Sequence, residues 1–178
     1  FCGPMGAGKD EAAKPLLAKG FVLVKFAHPM RRALEALDLE VTYRGCGLKL
    51  NSVIRDIGFD RAKREIPYVR HVMQRLGTEV GRDMFGENVW VDMTRKAIAD
   101  LLYEGKSVVV TDARFDNEAH MINQLGGRLV SVHRPGFDYT SHPSEQGIDA
   151  DLIWSNIDNT GSPEDLYKQV VSRLAFRA

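Results

Sequence analysis

The sequence has few cysteines, no excess charge of either sign and no long apolar stretch. Cys2 and Cys46 are its two cysteines, and their spacing indicates neither a zinc site nor a disulfide framework. Lysine plus arginine equals aspartate plus glutamate at 24 each, so no overall basic field is available to hold a nucleic-acid polymer. No apolar run approaches about 18 residues, the length that a membrane-spanning helix needs. We therefore expect an intracellular, soluble protein whose partners include neither a nucleic-acid polymer nor a membrane.

Composition and periodicity predict an α/β fold. The chain has 178 residues, of which 44% are hydrophobic and 27% charged, as is usual for one globular domain. Strand-like stretches occur at residues 21–26, 107–111, 128–133 and 151–155, and segments with helical spacing separate them. Strands separated by helices favour a parallel sheet with helices on both faces. We predict a single domain over residues 1–178, built on about five parallel strands.

Glycine is concentrated near the start of the chain. Residues 3–10 read Gly-Pro-Met-Gly-Ala-Gly-Lys-Asp and fit the phosphate-binding pattern of glycine, four residues, glycine and lysine. Glycines let backbone N–H groups turn inward, a following helix aims its positive dipole end at the phosphates, and Lys9 can reach a nucleotide's outer phosphates. A tight turn without a ligand is the alternative. A strand normally precedes such a loop, and Phe1 and Cys2 alone stand there, so we expect further residues before them in the complete protein.

Asp10 departs from the loop pattern, which usually has serine or threonine at this position. The usual hydroxyl group binds Mg²⁺, and a carboxylate is also a hard oxygen ligand. Asp10 is therefore a candidate to bind the metal directly or through water. It also brings like charge near the phosphates, and the helix dipole offsets only about 0.3–1 kcal/mol of that repulsion.

Residues 38–67 show fading periodicity and many charged side chains. Two interpretations stay open. The segment is either a solvated excursion or a mobile flap over a substrate, since long insertions without regular structure are often lids.

Residues 68–82 predict a helix with one narrow apolar face, formed by Val69, Val72, Met73, Leu76 and Val80. Gly77 and Gly81 lie inside this helix, and each costs about 1 kcal/mol relative to alanine. We favour an anionic ligand that approaches the backbone there, because neighbouring arginines can match phosphate oxygens in pairs. Close packing against another helix is the alternative.

An acidic residue closes the apolar stretch at residues 107–111. Asp112 stands at its carboxyl end, the edge at which parallel sheets bind ligands, and suits Mg²⁺ bound through water. Arg114 is expected to point over the same edge. Glu118 lies in the first turn of the next helix, where an ordinary helix-start acid is the simple alternative. Trp90 is either a core residue or a border of a base pocket.

With these residues laid out, the chain resembles the bacteriophage deoxynucleoside monophosphate kinases, within the P-loop kinase group. The resemblance is carried by residues 3–10, by RHVMQRLGTEVGR at 70–82, by VVTDARFDNE at 109–118 and by His-Pro-Ser-Glu at 142–145. The Gly-Lys-Asp ending of the loop also resembles animal phosphomevalonate kinases. The tail at 151–174 is similar to dephospho-coenzyme A kinases.

The resemblance implies a three-layer P-loop fold and transfer of the ATP γ-phosphate to a deoxynucleoside 5′-monophosphate, with Mg²⁺ as cofactor. It implies a substrate-binding excursion at about 38–82 and a short lid at about 135–147. The implied catalytic residues are Lys9, Asp112 and Arg134, and the implied metal ligands are Asp10 and Asp112. The implied ATP-binding residues are Gly6, Ala7, Gly8, Lys9, Asp10, Glu11 and Asn156. The implied substrate-binding residues are Arg70, Gln74, Arg82, Trp90, Arg114 and Glu118.

Two rival functions stay open on the sequence. One is another small-molecule kinase, acting on an acceptor like phosphomevalonate or dephospho-coenzyme A. The other is a regulatory module that binds ATP without transferring phosphate. The accepted base, the choice between deoxy- and ribonucleotides and the formation of a homodimer are also open. A phage-encoded member would act in the host cytoplasm.

Overall fold

The computed structural model describes residues 1–137 and 147–173. The chain forms two compact units. The first unit combines Phe1–Phe26 with Met93–Ala178, and the second comprises Ala27–Asp92. Both helices and strands are present, which confirms the mixed α/β class. Within the described ranges, no helix has both the length and the apolar character needed to cross a membrane.

The described residues form eight α-helices and six strands. The α-helices of the described part are α1 Lys9–Leu17, α2 Ala27–Leu37, α3 Leu50–Ile57, α4 Phe59–Glu65, α5 Pro67–Arg75, α6 Val89–Tyr103, α7 Asp116–Gln124 and α8 Pro163–Arg173. The strands are β1 Val22–Val24, β2 Glu40–Tyr43, β3 Cys46–Lys49, β4 Val108–Val110, β5 Val130–His133 and β6 Ser155–Asp158. A π-helix at Leu76–Met84 and a 3₁₀ turn at Ala150–Leu152 complete the set.

Two parallel strand pairs lie in the first unit. β1 pairs with β4, and β5 pairs with β6. The backbone nitrogen of Phe1 donates a 2.5 Å hydrogen bond to the Val110 carbonyl oxygen, and Cys2 forms an isolated parallel bridge with Ser131. The described residues therefore do not form the expected continuous sheet of about five strands. Cys2 forms an isolated bridge to β5, and no strand joins the two parallel pairs in the described part of the chain.

The core of the first unit lies between α1, α8 and the parallel strands. Ala12, Ala13 and Leu16 form the buried face of α1. They cluster with strand residues such as Val132 and Ile157, which are fully buried. The apolar face of α1 thus fixes the position of the loop that leads into it.

The prediction of the last strand at residues 151–155 lies a few residues too early in the chain. The Asp149 carboxylate accepts a 3.0 Å hydrogen bond from the Asp151 backbone, which caps the 3₁₀ turn instead of extending the chain. The strand β6 begins at Ser155. The predicted capping box of the final helix is confirmed, since Ser162 and Asp165 exchange side chain to backbone hydrogen bonds at 3.2 Å.

The second unit corrects the expectation of an irregular segment at residues 38–67. These residues form the antiparallel β2–β3 hairpin and the helices α3 and α4. Their buried residues form one cluster with parts of α2 and α5: Leu34, Val41, Tyr43, Leu50, Val53, Phe59, Ala62, Ile66, Val69 and Met73. Because each element is short, its apolar positions are too few to show a clear period among the charged ones.

The expected helix at 68–82 changes type part way along. α5 ends at Arg75, and the π-helix Leu76–Met84 continues from it. A π-helix aligns residues five apart rather than four. As a result Val80 leaves the predicted apolar face and is 37% exposed, whereas Val69 and Met73 are buried as predicted.

Candidate nucleotide phosphate site

The glycine loop adopts a backbone that residues with side chains rarely take. Gly3, Gly6 and Gly8 have φ values of 127°, 84° and 98°. A Cβ atom at Gly3 would collide with the Val132 carbonyl oxygen, and one at Gly8 would collide with the Asn159 amide. These positions therefore require glycine for both conformation and close approach. α1 begins directly after the loop, as the phosphate-binding interpretation predicts.

Lys9 points back into the loop that precedes it. Its ammonium nitrogen donates to the carbonyl oxygens of Gly3 at 2.6 Å and of Pro4 at 2.7 Å. Carbonyl oxygens satisfy an ammonium group less well than an anion does, because hydrogen bonds to charged acceptors are stronger. The Lys9 ammonium group is thus held at the loop, where phosphate oxygens could replace the two carbonyl oxygens as its hydrogen-bond acceptors.

Asp10 is held by two side chains from other elements. Its Oδ1 atom accepts a 2.6 Å hydrogen bond from the Thr111 hydroxyl and lies 2.8 Å from the Lys25 ammonium nitrogen. Burial works to raise the pKa of this carboxyl group. The hydrogen bonds from Lys25 and Thr111, together with the Lys25 and Lys9 charges, outweigh burial and lower the pKa. Asp10 is accordingly an anion, and metal binding by it stays a prediction.

Asp112 lies at the carboxyl end of β4, as predicted. Its Oδ1 atom accepts a 2.9 Å hydrogen bond from the backbone nitrogen of Phe26, which follows β1. The loop helix and the ends of β1 and β4 are thereby joined through two carboxylates, Asp10 and Asp112. The described residues contain no cluster of three or more acidic, histidine or cysteine side chains that could hold a metal ion. A carboxylate that acts through water, with nucleotide phosphates as the other ligands, does not need such a cluster.

Glu118 is a buried acid with a local structural role. Its Oε2 atom accepts hydrogen bonds from the backbone nitrogens of Arg114 at 2.7 Å and Phe115 at 3.3 Å. Glu118 thus fixes the backbone from which the half-buried Arg114 side chain projects. These contacts favour the helix-start interpretation of Glu118, and substrate binding by either residue stays a prediction.

Glu11 joins α1 to α8. Its carboxylate lies 2.7 Å from the Lys14 ammonium nitrogen and accepts a hydrogen bond from the Tyr167 hydroxyl. The hydrogen bond from Lys14 and then that from Tyr167 lower the pKa of Glu11. The observed partners are structural ones, and ATP binding by Glu11 stays a prediction.

Arg134 lies beside an aromatic ring at the loop. Its guanidinium carbon is 5.1 Å from the centre of the Phe137 ring, and that ring occupies the space that a side chain at Gly6 would need. Arg134 therefore belongs to the surroundings of the phosphate loop. The remainder of the expected lid, residues 138–146 with the His-Pro-Ser-Glu motif, lies outside the described residues.

Asn159 contacts the loop, whereas ATP binding by Asn156, the residue that the resemblance implies, stays a prediction. Asn156 is an exposed residue of β6 paired with Ser131. Asn159 follows that strand, and its Nδ2 atom donates a 2.9 Å hydrogen bond to the Ala7 carbonyl oxygen. The sequence analysis does not single out Asn159 or Lys25. The signal for Lys25 was a lone cation at the end of an apolar strand.

The remaining predicted substrate residues lie in the second unit. Arg70 and Gln74 are exposed on α5, and Arg82 on the π-helix donates to the Glu87 carbonyl oxygen at 3.1 Å. Trp90 is 8% exposed, and its indole nitrogen donates to the Gly77 carbonyl oxygen at 2.8 Å. Substrate binding by these four residues stays a prediction.

The contacts of the two helical glycines favour the packing interpretation, and an anionic ligand near them stays a prediction. A Cβ atom at Gly81 would collide with the indole ring of Trp90, and one at Gly77 would lie 3.0 Å from the Met30 sulfur. Close packing, the alternative, accounts for both positions. Nothing in these contacts requires a ligand at the glycines.

A lysine ammonium group held within a loop of positive-φ glycines suits the phosphates of a nucleotide, which defines the chain as a candidate nucleotide-binding protein. Comparison with known families gives the assignment within that class. Residues 62–170, more than half of the chain, match the family model for deoxynucleotide monophosphate kinase. The chain belongs to the deoxynucleotide monophosphate kinase family.

Similarity to individual viral proteins agrees with this assignment. A protein of Acanthamoeba polyphaga mimivirus, provisionally described as a deoxynucleotide monophosphate kinase, is 30% identical over 96% of this chain and 92% of its own length. The deoxynucleoside-5′-monophosphate kinase of Escherichia phage T5 is 32% identical over 51% of this chain and 38% of its own length. The deoxynucleotide monophosphate kinase of Escherichia phage RB69 is 33% identical over 57% of this chain and 43% of its own length. The chain thus spans less than half the length of these two phage relatives.

Proposed function

We propose that this chain transfers the γ-phosphate of ATP to a deoxynucleoside 5′-monophosphate, giving ADP and the diphosphate. Membership of the family supports the reaction and the acceptor class. The observation that carries the proposal is the glycine loop, with the Lys9 ammonium held within it. Its viral relatives support the cytoplasm of an infected host as the place of action.

Each group at the loop has a role in phosphoryl transfer. The backbone of Gly6, Ala7 and Gly8 would hold the ATP phosphates, and Lys9 would neutralise their outer oxygens. Such transfer depends mainly on in-line positioning and on neutralising charge on the moving phosphoryl group, without a covalent intermediate. Arg134 would add positive charge near that group, and its place beside Phe137 supports the role.

Magnesium fits the acid at the end of β4 and the acid at the start of α1. Asp112 would hold Mg²⁺ through water, and Asp10 would do so from the start of α1. When bound, the metal ion neutralises charge on the β- and γ-phosphates. Carboxylates that share Mg²⁺ with water and phosphate oxygens are the usual arrangement for such sites.

The acceptor would bind through arginines. Arg70, Arg82 and Arg114 are proposed to bind the monophosphate, since a guanidinium group forms paired hydrogen bonds with phosphate oxygens. Gln74 is proposed to bind the base and Trp90 to border it. Glu118 would support Arg114, because its carboxylate accepts a hydrogen bond from the Arg114 backbone nitrogen.

We also propose a fuller sheet than the strand pairs indicate. Phe1 and Cys2 bond to β4 on one side and β5 on the other. A strand at this position would join the two parallel pairs into one five-stranded sheet, with the phosphate loop at its carboxyl edge. This arrangement is the three-layer P-loop fold.

An assay of ADP release tests the proposal. The protein is incubated with ATP, Mg²⁺ and each of the four common deoxynucleoside monophosphates, with phosphomevalonate and dephospho-coenzyme A in parallel. We expect release that depends on at least one deoxynucleotide and on neither control acceptor. Release with a control acceptor alone would indicate a different small-molecule kinase, and ATP binding without release would indicate a regulatory module.

A further inference from the structure

The Lys25 side chain contacts the one residue of the phosphate loop that departs from the usual pattern. Lys25 follows β1, and its ammonium nitrogen lies 2.8 Å from Oδ1 of Asp10. The same oxygen accepts the Thr111 hydroxyl at 2.6 Å. The next residue, Phe26, bonds to Asp112. The ends of β1 and β4 thus both hold the acid at the start of α1.

Fold stability does not explain this arrangement well. The Asp10 side chain is 69% exposed, and the Lys25 side chain is 23% exposed. Ion pairs open to solvent are screened and add little to the free energy of folding. The pair has a larger effect on the charge at the loop, because phosphates bound there would meet Asp10 at short range.

Charge is where this loop differs from the usual one. A serine or threonine at position 10 would be neutral, whereas Asp10 carries a full negative charge beside a nucleotide's phosphates. Lys25, which forms an ion pair with that carboxylate, brings the net charge of the pair to zero. The Thr111 hydroxyl donates a hydrogen bond to Asp10, which holds the carboxylate toward β4.

We propose that Lys25 is a positioning residue for ATP, acting through Asp10 by neutralising and orienting its carboxylate beside the bound phosphates. This inference rests on the proposed function, because it assumes that ATP phosphates bind at the loop. It assigns a role to Lys25 that the loop pattern does not contain. Lys25 and Asp10 should therefore behave as a coupled pair in nucleotide binding.

A double-mutant cycle tests the coupling. ATP binding is measured by calorimetry in EDTA, without metal, for the wild type, Lys25→Met, Asp10→Ser and the double variant. Lys25→Met leaves an unpaired carboxylate near the phosphates and should weaken ATP binding by about tenfold. The double variant has a neutral residue at position 10 and should bind within about threefold of the wild type.

Controls separate charge from structure. Lys106→Met removes another lysine of the first unit, paired with Glu104 at 2.7 Å beside the amino end of β4, and should leave ATP binding unchanged. Lys25→Arg keeps the cation and should retain most of the affinity. Near-ultraviolet circular dichroism shows whether each variant is folded. Unchanged ATP binding by folded Lys25→Met, or a double variant as weak as Lys25→Met, would overturn the inference.

Steady-state kinetics gives an independent measurement. Lys25→Met should raise the KM for ATP by about tenfold and change the KM for the deoxynucleotide by less than about twofold. Equal effects on both substrates would contradict a role confined to ATP. If the wild type phosphorylates no deoxynucleotide, the proposed function fails, while the binding cycle still reports whether Lys25 and Asp10 are coupled.

Discussion

The indole ring of Trp90 occupies the space that a side chain at position 81 would need. Its nitrogen donates a 2.8 Å hydrogen bond to the carbonyl oxygen of Gly77, one turn earlier in the same π-helix. The ring therefore contacts the helix at a site where two glycines remove the side chains. This contact explains why the sequence accepts the free-energy cost of glycine inside a helix.

Gly81→Ala should destabilise the protein. The added Cβ atom has to displace the buried Trp90 ring, and overpacking of this kind typically costs about 1–3 kcal/mol. The better helix preference of alanine offsets about 1 kcal/mol of that cost. Urea unfolding gives the difference in the free energy of unfolding.

Two variants identify the cause of that loss. Gly77→Ala adds a Cβ atom 3.0 Å from the flexible end of Met30, so its cost should be smaller. In a Trp90→Leu background, which removes the ring, Gly81→Ala should also cost less than in the wild type. An undiminished cost in that background would show that Trp90 is not the obstacle.

Lys9→Ala should remove turnover. The ammonium group is the cation that the loop holds for the outer phosphates, and loss of one such electrostatic contact lowers kcat by about 10²–10³-fold. The coupled ADP-release assay measures the change. Lys14→Ala, on the same helix, removes an exposed ammonium group paired with Glu11 and should retain activity. Activity of Lys9→Ala close to that of Lys14→Ala would refute the phosphate role.

Arg82→Ala should chiefly weaken use of the acceptor. Loss of a guanidinium–phosphate contact should raise the KM for the deoxynucleotide by about tenfold or more and leave the KM for ATP nearly unchanged. Arg75→Ala is the matched control, because Arg75 lies just before the π-helix and is paired with Glu79 at 2.7 Å on the surface. If Arg82→Ala keeps the wild-type acceptor KM and kcat, the proposal that Arg82 binds the acceptor phosphate is wrong.

Acid should weaken the link between α1 and α8 through Glu11. The pKa of Glu11 is lowered below its usual value of 4.5 by Lys14 and Tyr167. A lowered folded-state pKa means that the stabilisation is fully present above about pH 4.5 and is lost as the pH falls through the folded-state pKa. Glu11→Gln should therefore be less stable near neutral pH and lose less stability on acidification.

Urea unfolding at several pH values measures this difference between the wild type and Glu11→Gln. Tyr167→Phe removes one hydrogen bond and keeps the carboxylate, so its acid dependence should lie between the other two. Parallel curves for the wild type and Glu11→Gln would show that Glu11 does not carry this part of the acid sensitivity.

Local sequence chemistry predicted the features that depend on near neighbours. The glycine pattern predicted the phosphate loop, and Gly3, Gly6 and Gly8 do adopt positive φ values. Ser162 and Asp165 predicted the start of α8 through their capping box. In such cases the residues that interact are a few positions apart, so their spacing in the sequence determines the contact.

Contacts between distant residues were not predictable in the same way. Lys25 meets Asp10 because the fold brings the end of β1 beside the start of α1, and no pattern in the sequence states that distance. The π-helix Leu76–Met84 also has no signature in its residue types that the sequence analysis could have used. Short elements were missed for two reasons: β2 has four residues, too few to show a period, and in α4 the charged residues outnumber the apolar ones.

The hydrogen bond from Asn159 to Ala7 has a consequence for engineering. The curvature of the glycine loop is supported by a residue 152 positions later in the chain. A peptide copied from the first twenty residues would lack that support. Transplanting the loop into another scaffold therefore requires an amide donor placed to reach the same carbonyl.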